Sequence, residues 1–157
     1  AEQETFQLVI EARKLVEPEL AAMAAERATS TEITRLIGLA REMESLYQSG
    51  SDFIEPDITF HEEIYHAAGN QILLRMFSSI KEQLLDSRRI SSRLEGATEK
   101  AIAYHQLIAH SIQERKPEVA RSLMRQHIED VERSWHASQA LDLHEFEQKM
   151  EVIKPVI

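Results

Sequence analysis

The chain has 157 residues, the size of a single domain, with a hydrophobic share of 43% that supports a packed core and excludes wholesale disorder. A net charge of −9 argues against broad nucleic-acid binding by this chain itself. The absence of cysteine excludes a disulfide scaffold and any cysteine-ligated metal, and fits a cytoplasmic location. No apolar run approaches the ~20 residues of a membrane helix. The opening AEQETFQLVI lacks the basic-then-apolar pattern of a secretory signal. A start at Ala1 rather than Met is what a piece of a longer protein would show.

Only four Gly and four Pro punctuate the chain, and no stretch keeps a period of two, so the sequence predicts an all-α protein. A first helix is expected over residues 5–28, with Pro18 restarting or kinking it. Thr29, Ser30 and Thr31 offer caps for a second over 31–48, which Ser49-Gly50-Ser51 ends. A third covers 51–68, with Pro56 in its first turns. Gly69-Asn70 breaks the chain before a fourth over 73–89. A polar stretch leads to a fifth over 97–114, and the turn at Arg115-Lys116-Pro117 to a long sixth ending near 141. The tail after Asp142 fits no clear pattern. Short connections favour antiparallel neighbours, hence one domain over 1–157 built as an antiparallel bundle of six to seven helices.

Helical spacing sorts the seven histidines, because residues three and four apart share a face. His66, His110 and His136 have polar neighbours, and with His144 in the tail they read as solvated. The other three lie on apolar stripes. His61 sits with Asp57, Ile58, Ile64, Tyr65 and Ala68; His105 with Ala101, Ile102, Ile108, Ala109 and Ile112; His127 with Ala120, Leu123, Met124 and Val131. Asp57 and His61 are one turn apart, a spacing that lets both reach one ion. His105 and His127 lie at equal sequence distance from Lys116. In an antiparallel hairpin each therefore stands about 16 Å from the turn, and the two face one another. Asp57, His61, His105 and His127 thus form a candidate site for one divalent transition metal. Imidazole and carboxylate suit Zn, Ni, Mn or Fe alike. The alternative is a buried Asp–His hydrogen-bond cluster with no ion.

Arg13 interrupts the stripe Phe6, Val9, Ile10, Val16, Glu17, Leu20. A guanidinium there needs a partner, either Glu17 one turn on or the carboxylate of a ligand. Arg88 continues the stripe Phe77, Ile80, Leu84 and raises the same question, although near a helix end it has the reach to snorkel to water.

Three segments carry a family resemblance. VIEARKLVEPELAAMAAERAT resembles the first helix of the FadR-type C-terminal domain, abbreviated FCD, of GntR-family bacterial transcription regulators. DITFHEEIYHAAGNQIL resembles that family's segment with Asp57, Phe60 and His61, ending in the Gly69-Asn70 turn. HQLIAHSIQERKPEVARSLMRQHI resembles its closing hairpin, with His105 and His127 in the metal-ligand places. The resemblance covers roughly residues 5–135. It implies a six- or seven-helix bundle that senses a small organic acid and a metal held by Asp57, His61, His105 and His127. It further implies that Arg13, in the E-x-R pattern Glu11-Ala12-Arg13, meets an effector carboxylate, and that the domain forms a homodimer. The winged helix–turn–helix that reads DNA in this family is absent from this chain, so DNA is a partner only through that missing N-terminal domain. A sensing role outweighs the alternative of a metal-dependent enzyme using the Asp/His3 site, because no clear general base accompanies the histidines; Tyr65 and Glu62 are the nearest candidates, and Glu62 lies on the outer face.

Overall fold

The computed structural model describes residues 2–153, with side chains placed from Gln3 to Lys149. It contains α1 (Glu2–Arg27), α2 (Ser30–Gln48), α3 (Ile54–Ala67), α4 (Gln71–Ser78), α5 (Lys81–Ser91), α6 (Ala97–Gln113) and α7 (Pro117–Ile153), and no strand among the described residues. Among the described residues no helix is long and apolar enough to cross a membrane.

The caps sit where turn chemistry puts them. Thr29 and Glu32 close a capping box on α2: Thr29 Oγ1 accepts from the Glu32 amide at 3.2 Å, and the Thr29 amide donates to Glu32 Oε2 at 2.8 Å. Gly69 takes the left-handed φ of 67° that ends α3, and Asn70 Oδ1 then accepts from the amides of Ile72 and Leu73.

Three expectations are corrected. α1 is one helix through the buried Pro18, without a restart. The single helix expected over 73–89 is two, divided at Ser79-Ile80. There the Ser78 and Ser79 hydroxyls bond back to the carbonyls of Leu74 and Met76, and the Ile80 amide reaches Phe77 rather than continuing the ladder. Finally, α7 does not end near 141 but continues to Ile153, the last described residue.

α1 lies at the centre, against α7 and in contact with α3, α5 and α6. Its run of Ala21, Ala24 and Ala25 is fully buried, and such small residues let neighbouring helices approach closely. α1 and α7 run antiparallel. Phe6 stacks on Trp135 with centroids 4.9 Å apart, Glu19 pairs with Arg121, and Arg115 reaches the Ala25 carbonyl. α6 and α7 form the expected hairpin; α2 packs on α6 and α3, and α3 packs on α1. The core is therefore lined by the inward stripes of α1, α3, α6 and α7, the stripes that carry the out-of-place polar residues.

Candidate functional site

Those polar residues meet. α1 contributes Arg13 and Glu17, α3 contributes Asp57, His61 and Tyr65 from successive turns, α5 contributes Arg88, α6 His105 and α7 His127. All eight are buried, and Glu17, His61 and His105 have no exposed surface. His66, His110, His136 and His144 are exposed, as the helical faces indicated.

The three buried histidines form one cluster, with a ligand nitrogen from each lying within 4.8 Å of the others. His61 Nε2 and His105 Nε2 are 3.1 Å apart. Two nitrogens bound to one ion at about 2.1 Å stand about 3.0 to 3.4 Å apart, so this separation already fits a shared metal. Asp57 is not brought into this group: it stands beside it, its Oδ1 3.6 Å from His105 Nε2. Phe60 stacks flat on the His105 ring at 4.3 Å and fixes its plane.

Burial disfavours the charged imidazole throughout. His105 is held well below the ordinary histidine value by burial and then by His61 and His127; His127 likewise by burial, His61 and Arg13; His61 is lowered by burial and Arg88. All three are neutral at pH 7 and offer lone pairs, as a metal site requires. The donor set of imidazoles and one carboxylate fits a divalent transition metal.

Beside the cluster lies a knot of opposite charges centred on Glu17. Its Oε1 accepts from Arg13 Nε at 2.8 Å, the Tyr65 hydroxyl at 2.7 Å and Arg88 Nη2 at 3.3 Å; its Oε2 accepts from His61 Nδ1 at 3.0 Å. Burial opposes ionisation of Glu17, but Arg13, Arg88 and His61 outweigh it and hold the carboxyl well below the usual range. The Tyr65 hydroxyl is pushed well up by burial and by Glu17, and it also accepts from Arg88 Nη2 at 2.8 Å. Neither group is poised to take a proton from water at neutral pH, and Glu62 faces outward to Lys81.

Both expected arginines are in place, and one detail of each is corrected. Arg88, only 3% exposed, does not snorkel; it is held by Glu17 and Tyr65. The two partners weighed for Arg13 are not exclusive. Its Nε is taken by Glu17, while its Nη1 is buried without a hydrogen-bond partner. Arg13, Arg88, Asp57 and His127 line one small cavity of about 20 Å³, with Ser91 and Thr98 on its wall. The residues that sequence reasoning undervalued are Glu17 and Tyr65. Their only signal was position: Glu17 follows Arg13 by one turn and Tyr65 follows His61 by one turn.

Residues 8–130 match the family model of the FCD domain. The chain belongs to the FCD domain family of GntR-type transcription regulators. The transcriptional repressor NanR of Citrobacter rodentium is 30% identical over 130 residues, covering 80% of this chain and 49% of the repressor. The transcriptional regulator LutR of Bacillus subtilis is 24% identical over 134 residues, covering 82% and 61%. The galactonate operon transcriptional repressor of Escherichia coli is 37% identical over 70 residues, covering 45% and 31%. Among solved structures, Streptococcus agalactiae GntR superposes with a TM-score of 0.70 at 26% identity, over 84% of this chain and 60% of that one. This FCD chain thus spans about half the length of its NanR relatives. Its kinship is with regulatory domains rather than enzymes.

Proposed function

We propose that this FCD domain is the effector-sensing part of a cytoplasmic transcription regulator. It binds one divalent transition metal through His61, His105, His127 and Asp57, and a small organic acid whose carboxylate lies between the metal and Arg13. The metal would supply a fixed positive charge and sites for ligand oxygens. The observation that carries this reading is the shared cavity: Asp57 and His127, one of the three clustered histidines, line it together with Arg13, whose Nη1 is buried and unpaired. An unmet guanidinium donor in a buried site costs about 1 to 3 kcal/mol, and a carboxylate answers it with a charge-assisted hydrogen bond. The ligand class is supported by the relative named for the galactonate operon, since galactonate is a sugar acid.

Arg13 also offers a route for the signal. It sits in the middle of α1, the helix that follows the DNA-binding domain in the family pattern. An acid that draws on Arg13 biases the position of α1, and through it the arrangement of a homodimer on DNA read by a domain outside this chain. Couplings of this kind are typically about 1 to 3 kcal/mol.

Metal content after purification, read by elemental analysis, tests the first half. His61→Ala lowers it substantially, whereas the exposed His110→Ala does not; equal content in wild type and His61→Ala refutes the assignment. A thermal-shift screen of hydroxy, oxo and sugar acids with and without added metal finds the acid, and calorimetry on Arg13→Ala tests the bridge. Wild-type affinity in Arg13→Ala leaves the metal alone holding the acid and sinks the bridging model.

A further inference from the structure

Glu17 stands outside the proposed ligand set, yet four side chains of the site converge on it. Its two oxygens are used unequally. Oε1 collects Arg13, Tyr65 and Arg88, all of them donors, while Oε2 has His61 Nδ1 alone. An ionised carboxylate only accepts hydrogen bonds. The proton in the 3.0 Å contact to His61 must therefore be on Nδ1. In the neutral ring this leaves Nε2 with the lone pair, and Nε2 is the atom aimed at His105 Nε2 across 3.1 Å.

We infer that Glu17 is the positioning residue of this site: it selects the Nδ1–H tautomer of His61 and so aims the Nε2 lone pair at the metal position. The same carboxylate holds Arg13, which lines the cavity, by Nε and leaves its Nη1 without a partner. One buried acid from α1 thus sets both the metal-binding face of His61 and the anion-binding face of Arg13. The metal half of this assignment rests on the reading given under Proposed function; the tautomer half rests on the hydrogen bonds alone.

Glu17→Gln does more than remove a charge. Three donors crowd Oε1, so the glutamine carbonyl oxygen must take that side. Its NH2 group then faces His61 Nδ1 and donates to it. The His61 proton is driven to Nε2, and the lone pair is removed from the cluster. Zinc, used as the probe metal, can bind only by reversing the tautomer, so its affinity falls 10- to 100-fold, the range found when a partner behind a metal-bound histidine is lost. Tyr65→Phe removes a donor from Oε1 but leaves Oε2 to His61, so it keeps the tautomer and holds zinc within about threefold of wild type.

Two measurements decide it. Long-range 1H–15N correlation on metal-free protein with 15N-labelled histidine reads the tautomer of each ring, with His61 assigned by its absence in His61→Ala. Competition with a chromophoric chelator reads zinc affinity. The expected result is Nδ1–H in wild type and Tyr65→Phe, Nε2–H in Glu17→Gln, and weakened zinc binding in Glu17→Gln alone. A folded Glu17→Gln with the wild-type tautomer and zinc affinity overturns the inference. Should Glu17→Gln fail to fold, the wild-type spectrum still decides: an Nε2–H ring at His61 overturns it, and Nδ1–H sustains it. A wild-type protein with the Nδ1–H tautomer but no zinc affinity defeats the metal reading and leaves the hold of Glu17 on His61 standing.

Discussion

Acidification tests the burial of the histidine cluster directly. His61, His105 and His127 resist protonation in the folded domain, whereas in the unfolded chain each takes up a proton near the ordinary value of 6.5. Below about pH 6.5 the unfolded state therefore binds more protons, and stability falls as the pH falls. The loss continues until each folded imidazole is itself protonated. One such group costs about 1.4 kcal/mol per pH unit, so three together cost up to about 4 kcal/mol per unit. That is a large part of the 5 to 15 kcal/mol that typically holds a domain together. Glu17, also depressed in the fold, works in the same direction but only below its ordinary value of 4.5. The assay is urea unfolding of metal-free protein followed by far-ultraviolet circular dichroism, from about pH 8 down to about pH 5. His105→Leu removes one proton from the balance and reduces the slope by about 1.4 kcal/mol per unit. Zinc at a hundredfold above its dissociation constant adds about 2.7 kcal/mol near neutrality, and less as protons compete for the rings. A stability that stays flat between about pH 7 and pH 5, or a slope identical in wild type and His105→Leu, refutes the claim that these rings are buried neutral.

Two further outcomes follow from the fold. Asn70→Ala removes both side-chain hydrogen bonds at the start of α4 and costs about 1 kcal/mol, visible as a lowered Tm in thermal unfolding. In sedimentation equilibrium the chain has the mass of a homodimer at micromolar concentration; a monomer mass at every concentration contradicts the dimer in this chain.

The chain wrote its fold class and its candidate ligands into local pattern. Helix-forming composition with few Gly and Pro leaves little but helices, and a period of 3.6 residues decides which side of each helix meets the core. That is why His61, His105 and His127 separated from His66, His110, His136 and His144 on neighbours alone, and why equal spacing about Lys116 paired His105 with His127. Asp57 followed because one turn of helix fixes its distance from His61. The knot around Glu17 had no such signature. Its partners come from α1, α3 and α5, and no spacing within one helix says that the Arg88 of a distant element will share a carboxylate with Arg13. The end of α5 near Arg88 looked open to water, and only the wall made by its neighbours leaves Arg88 3% exposed. The break at Ser79-Ile80 turned on two serine hydroxyls bonding back to carbonyls, a weak local choice that tertiary contacts settle. Periodicity is a property of one helix and survives in sequence; the direction of a proton between Glu17 and His61 is a property of three helices meeting, and it exists only once they have met.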